Sequence, residues 1–183
     1  TCVTRDDLAD GGAEQFRQCV EAVREMTDAT VEVLPSDLGG NRDALDLILD
    51  TKPDVFNHNV ETVPRLYREV RGPKPRYEWT LAMFQRARER QPQVKTKSGL
   101  MLGLGETDDE LVQVIRNLHD AGCQMLTIGQ YLRPSSDQAE VKRYVPPEEF
   151  ERWERLALEI GFKSVASGPL VRSSYHAREM LGE

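Results

Sequence analysis

Short apolar runs alternate with longer amphipathic stretches along the whole chain. The runs at 31–34, 54–59, 98–104, 125–132 and 163–167 each end in polar or glycine-rich residues and read as strands, with a further short strand expected around Cys2 and Val3. Between them Phe16, Val20, Val23 and Met26 recur at helical spacing, as do Leu111, Ile115 and Leu118, and then Trp153, Leu156 and Ile160. These stripes are expected in the core. Thr107 before Asp108, Asp109 and Glu110 marks one helix start, and Pro146 and Pro147 before Glu148 and Glu149 mark another.

Strands alternating with helices predict an α/β fold built on parallel crossovers. Periodicity alone leaves an open doubly wound sheet and a barrel both possible. In either, ligands gather at the C-terminal strand ends. Those ends carry Arg5-Asp6-Asp7, Asn57-His58-Asn59, Gly103-Leu104-Gly105-Glu106 and Gly129-Gln130-Tyr131, and polar groups on several neighbouring strands favour a barrel-like rim.

A chain of 183 residues, 39% hydrophobic and 30% charged, suits one domain spanning 1–183. The net charge of −7 argues against nucleic acid as a partner. No apolar run is long enough for a bilayer, so no membrane role is expected. Cys2, Cys19 and Cys123 stand at wide, odd spacings that suit free thiols in a reducing cytoplasm.

Three segments carry candidate chemistry. The glycines of 99–106 let backbone approach a flat or phosphorylated ligand, although the spacing departs from the dinucleotide fingerprint and a tight strand-to-helix turn explains it equally well. Asn57-His58-Asn59 puts two amides and an imidazole at a strand end, where a buried polar network competes with a ligand site. Glu61 could meet ribose hydroxyls or cap the next helix. The segment Gly168 to Ala177 holds Ser173, Ser174 and His176, but residues this close in sequence seldom form a triad and no nucleophile elbow is present.

Read together, these motifs resemble the lipoyl synthases over essentially the whole chain. The resemblance rests on Arg5-Asp6-Asp7-Leu8 with Asp10-Gly11-Gly12-Ala13, on the run from Pro53 to Tyr67, on Thr96 to Met101 continuing through Gly105-Glu106-Thr107, on Leu126 to Leu132, and on Arg172 to Ala177. It implies a partial TIM barrel of the radical S-adenosylmethionine type, parallel strands with crossover helices, first strand missing, and an auxiliary-cluster serine segment at about 163–183. The implied reaction inserts two sulfur atoms at C6 and C8 of a protein-bound octanoyl group, using S-adenosylmethionine and two 4Fe-4S clusters, one of them the sulfur source.

By the same resemblance, Asn57, Asn59, Glu61, Gly103, Gly105, Glu106, Gln130 and Tyr131 surround the cofactor. Ser173 or Ser174 supplies an oxygen ligand to the auxiliary cluster, the choice staying open, and Arg172 serves the reaction by attracting an anion. Implied partners are octanoylated lipoyl carrier domains, namely 2-oxoacid dehydrogenase E2 subunits and the glycine cleavage H protein, and an electron donor such as flavodoxin or ferredoxin.

The departures are equally plain. The cysteine motifs that hold both clusters in the family are absent, and the chain opens at what resembles the family's second strand, which predicts an unpaired edge around residues 1–4. Cys2, Thr4 and the loop 34–40 differ from the family's usual residues. Two other readings compete: a non-catalytic module that binds acylated carrier domains, and a barrel lyase using Lys97 as a Schiff-base amine.

Overall fold

The computed structural model describes residues 1–174; Tyr175, His176 and Ala177, which close the last motif, lie outside the described residues. Among the described residues six α-helices and five strands follow one another: α1 (Ala13–Met26), β1 (Glu32–Val33), α2 (Arg42–Leu49), β2 (Val55–Asn57), α3 (Tyr67–Val70), α4 (Tyr77–Arg90), β3 (Lys95–Leu102), α5 (Asp108–Ala121), β4 (Met125–Gln130), α6 (Pro147–Ile160) and β5 (Ser164–Gly168).

Helix boundaries follow from local chemistry. Before α1 the Asp10 carboxylate accepts from the N–H groups of Gly12 (3.0 Å) and Glu14 (2.8 Å), and those bonds hold its pKa below the usual carboxylate value. Thr107 and Glu110 close a reciprocal capping box on α5, and Gly122 ends that helix in the left-handed region at φ 104°. Pro147 opens α6, as its fixed φ favours.

The strands are all parallel and lie side by side in chain order, β1-β2-β3-β4-β5. A doubly wound sheet reverses its order at a switch point, and this one does not. With right-handed crossovers an unreversed order sends every helix to one face. The result is a partial barrel. Alternation along the strands divides the faces: Phe56, Leu100, Leu102, Leu126 and Ile128 enter the main core with the helices, whereas Val55 and Met125, with Ala166 against them, form a small separate cluster on the inner face.

Four sequence expectations need correction. Cys2 and Val3 form no strand: Val3 is 77% exposed, and β1 is only two residues long before Pro35, which has no N–H to offer a neighbour. Met26 is exposed rather than core, because α1 ends there and so short a strand leaves its last turn nothing to cover. Val23 is half-buried. Strand β3 begins at Lys95, three residues earlier than the apolar run suggests, because polar Thr96, Lys97 and Ser98 are buried in it.

The fully buried Phe84 of α4 meets Phe56 of β2 edge to face, with ring centroids 6.2 Å apart. Phe84→Ala is expected to lower the unfolding free energy by about 3–5 kcal/mol in urea titration. A loss below about 1 kcal/mol would show that this helix layer does not carry the core.

Candidate functional site

The site begins where β2 stops. Asn57 pairs with Lys97 in register, yet the next bridge joins Glu61 to Leu100, so the β2 side carries one more residue than β3 and bulges. Backbone of β3 grips the bulge at three points: His58 N donates to Lys97 O (3.0 Å), Glu61 N to Gly99 O (2.9 Å), and Met101 N to Glu61 O (2.8 Å). Ser98 joins in, its hydroxyl donating to His58 O (2.9 Å) and accepting from Val60 N (3.1 Å). Glu61 is thereby held at φ 66°, a conformation that costs a non-glycine residue energy and that clusters at ligand sites.

Glycine at 99 has a steric reason. A Cβ there would stand 2.7 Å from Asn59 Oδ1, so only glycine lets the Asn59 amide lie across β3. Gly129 on β4 acts likewise, since its Cβ would collide with the main-chain oxygen of Val171. The segment after β5 therefore crosses over β4. These contacts enclose a cavity of about 490 Å³ lined by Asn59, Glu61, Arg71, Gly99, Thr127, Gly129, Tyr131, Arg172 and Ser173, among others. A second cavity of about 420 Å³ lies beyond the ridge of Asn59, Glu61 and Arg71, which lines both; His58, Leu34, Pro35 and Pro73 belong to the second alone.

Of the residues singled out from sequence, Asn59, Glu61, Gln130, Tyr131, Arg172 and Ser173 line the first cavity. The Gln130 amide is already engaged: Nε2 donates to Tyr131 O (3.0 Å) and Arg143 O (3.1 Å), and Oε1 accepts from Val145 N (2.9 Å). Asn57 is not among the lining residues; it is fully buried and donates to Glu32 Oε1 (2.7 Å), beside Lys97 Nζ at 3.1 Å from Glu32 Oε2. Glu106 folds back to accept from Gly103 N (2.7 Å) and Leu104 N (2.8 Å), so Gly103, Gly105 and Glu106 make a self-capped turn outside the cavity lining. Ser174 is exposed and also outside it. Sequence reasoning did not find Arg71, which follows α3 with no flanking motif.

Electrostatics at the ridge follow from burial. Desolvation raises the Glu61 carboxyl pKa, against the Arg71 charge and the Asn59 amide, which lower it. Asn59 Oδ1 and His58 Nε2 are buried without a hydrogen-bond partner among the described residues. His58 Nδ1 faces Pro35 O at 3.2 Å, and a carbonyl only accepts, so the neutral ring carries its hydrogen on Nδ1. Burial, with the Arg71 charge adding to it, pushes the His58 pKa from 6.5 down to about 4. A base whose value is depressed on folding contributes fully above 6.5, and that contribution is lost as pH falls from 6.5 towards 4. Over that window the unfolding free energy should drop by roughly 3 kcal/mol more in the parent than in His58→Gln, measured by urea titration at stepped pH. Equal pH slopes would contradict a buried neutral His58.

The described residues offer no group of three or more histidine, cysteine or acidic side chains able to hold a metal ion. The cysteines do not converge. Cys123 is buried, which raises its thiol pKa, while Cys2 and Cys19 are exposed along the groove between α1 and β1. Of the two serines singled out from sequence, Ser173 lines the cavity.

Comparisons with known proteins agree with this architecture. The chain is 57% identical over 180 residues to a lipoyl synthase of Rhodopirellula baltica, covering 98% of this chain and 57% of that protein. It is 58% identical to one of Syntrophotalea carbinolica, covering 97% and 58%, and 53% identical to one of Caldanaerobacter subterraneus subsp. tengcongensis, covering 97% and 62%. The chain thus spans about three-fifths of the length of the curated relatives it matches. Among solved structures, methylornithine synthase superposes with a TM-score of 0.56 at 15% identity, over 87% of this chain and 54% of that one. A radical S-adenosylmethionine methyltransferase from Kitasatospora setae gives 0.50 at 16%, over 67% and 25%. These two show the fold alone. The family model described as the Radical SAM superfamily matches residues 3–118, well over half of the chain, and with the unreversed parallel sheet and rim cavity already in view, the chain belongs to the radical SAM superfamily.

Proposed function

We propose that this chain is the barrel portion of a lipoyl synthase, which inserts two sulfur atoms into an octanoyl group carried on a lysine of a lipoyl carrier domain. The observation that carries the reading is one cavity where Asn59 and Glu61, from the end of β2, meet Arg172 and Ser173, from the segment after β5. Two motifs more than a hundred residues apart in sequence thus share a wall.

The cavity fits S-adenosylmethionine in volume and chemistry. Tyr131 supplies an aromatic wall for a flat base, the orphaned Asn59 oxygen awaits a hydrogen-bond donor such as a ribose hydroxyl or an exocyclic amine, and the Glu61 carboxyl stands beside it. When bound and reduced by one electron, this cofactor supplies a 5'-deoxyadenosyl radical able to take hydrogen from an unactivated carbon. The chain's own residues orient it. Glu61 is fixed by β3 backbone, and Asn59 is pressed against Gly99, so neither must reorganise on binding.

The residues present do not by themselves fit a 4Fe-4S cluster, because no three thiolates gather among the described residues. What this chain offers to iron is the Ser173 hydroxyl, chosen over Ser174 because Ser173 lines the cavity. Arg172, whose Nη1 donates to Val171 O at 2.6 Å, holds the chain beside that serine and places a positive charge at the rim. Octanoylated E2 subunits and the glycine cleavage H protein are the proposed macromolecular substrates, and flavodoxin or ferredoxin the proposed reductant. No helix among the described residues is long and apolar enough to cross a membrane. The proposed location is the cytoplasm.

The test uses the complete protein after anaerobic iron-sulfur reconstitution, with an octanoyl-lysyl peptide, S-adenosylmethionine and a reductant. Mass spectrometry should find 5'-deoxyadenosine together with a peptide carrying two added sulfurs. Absence of both products would remove the reading. Ser173→Ala should lower sulfur-containing product at least about tenfold, and Ser174→Ala by less than about twofold. The reverse order would reassign the ligand.

A further inference from the structure

Residues 64–76, the connection from β2 through α3 to α4, hold five cationic side chains, Arg65, Arg68, Arg71, Lys74 and Arg76, against one acidic, Glu69. The whole chain carries a net charge of −7, so the remainder is more acidic still. A second basic run, residues 86–97, has its charges answered from within the fold. Arg86 and Arg90 fork onto Asp46 and Asp50 at 2.6 to 2.7 Å, Arg88 donates to Asp120 O at 3.2 Å, and the buried Lys97 meets Glu32.

In residues 64–76 the balance is different. Arg68 is exposed and makes neither a hydrogen bond nor an ion pair with a described residue. Arg76, also exposed, has only the Trp79 ring beside it, 5.5 Å from its guanidinium carbon. Arg65 pairs with Glu110 and Lys74 with Asp6, yet their side chains stay 54% and 75% exposed. Glu69 and Glu78 face solvent without pairing to Arg68 or Arg76.

The segment is also stiff and set beside the cavities. Pro64, Pro73 and Pro75 fix φ at three points. Buried Tyr67 and Tyr77 pack edge to face, ring centroids 5.7 Å apart, and clamp the stretch that carries Arg68 against the one that carries Arg76. Val70 lines the first cavity, and Pro73, Lys74 and Pro75 line the second. A partner resting on these cations stands at the mouths of both.

We propose that residues 64–76 form the docking surface for a folded carrier domain, which meets them with an acidic face beside its acylated lysine. The proposal rests on the functional reading above and gives its macromolecular substrate a landing place. An acyl arm must reach into the cavity while its protein stays outside, so that protein has to be held next to the opening, where the free cations are. A nucleic acid or an anionic bilayer fits less well, since either extends past the patch and meets the negative charge of the remaining surface. Exposed charges of this kind speed encounter and select the partner more than they slow its release.

The experiment follows association of octanoylated glycine cleavage H protein with the complete, reconstituted protein by biolayer interferometry, without reductant, beside turnover of a short octanoyl-lysyl peptide. The parent's association rate should fall at least about tenfold from low to molar salt. Arg68→Glu with Arg76→Glu should slow association about tenfold at low salt, whereas Arg68→Lys with Arg76→Lys should stay within about twofold of the parent, because charge rather than fork geometry is at work. Peptide turnover should change by less than about twofold in both variants. A parent whose association is indifferent to salt overturns the proposal without any variant. So does a reversal pair that leaves association unchanged, or one that slows peptide and carrier alike, which marks a structural defect. Anionic vesicles or duplex DNA that bind the parent more tightly than the carrier does, and lose that binding in the reversal variant, would give the patch to another polyanion and overturn it too. A parent that converts the peptide yet does not bind the carrier sinks the docking surface alone. One that converts neither peptide nor carrier removes the functional reading and takes this inference with it.

Discussion

The site depends on β3 backbone gripping one extra residue at the end of β2. A regular strand would carry Asn59 and Glu61 onward along the sheet with side chains on fixed alternate faces. The bulge breaks that alternation, and Glu61 turns into the left-handed region only because its N–H and C=O are both bonded to β3, to Gly99 O and Met101 N. Ser98 and Gly99 complete the grip, one by bonding the bulged backbone and the other by having no side chain. The rim is therefore written in two strands at once, and neither Asn59 nor Glu61 is a property of β2 alone.

Sheet order makes such a rim usable. Because β1 to β5 lie in sequence order, the helices bury one face and the inner face is free to carry polar groups. There Glu32, Asn57 and Lys97 form a buried cluster, with the Lys97 side chain 1% exposed and that of Glu32 24%. A buried ion pair is weak evidence of stability, since well-packed apolar residues often serve as well. Its tie between the edge strand and the two strands inside it is nevertheless direct. Breaking one partner would leave a buried charge without an answer. The same ion pair bears on Lys97 as an amine nucleophile, for its ammonium is already held by Glu32.

Much of the fold was legible in the chain. The five strands and the helices opened by Thr107 and Pro147 follow from apolar alternation and capping chemistry, which are local. The choice between open sheet and barrel was not local, because it is a matter of strand order. Within the site, Asn59, Glu61, Tyr131, Arg172 and Ser173 stood out as polar or aromatic groups at strand ends or in the last motif, and all line the cavity. Glu106 and Gln130 looked the same in sequence. Their acceptors and donors are consumed by Gly103 and Leu104 N–H and by the main chain of residues 131–145, partners that no pattern in the sequence announces. Arg71 was hidden because it follows a short helix with no motif beside it.

The glycines resolve the same ambiguity. Gly103 and Gly129 both sit at strand ends and both read as places where a ligand could come close. In the fold each is instead the place where the chain itself comes close: a Cβ on Gly103 would strike the Arg143 carbonyl and the Gln130 amide, and one on Gly129 would strike the Val171 carbonyl. The first approach holds down the strap that carries Lys142 and Arg143, through Lys142 N to Gly103 O at 2.8 Å. The second brings Arg172 and Ser173 over the rim. Gly99 is different in kind, because what it admits is the Asn59 amide, whose oxygen has no partner among the described residues. Of the three close approaches, the one at Gly129 builds the cavity wall, the one at Gly103 fixes a strap outside the lining, and the one at Gly99 leaves in the cavity an acceptor that only a ligand or a solvent molecule can satisfy.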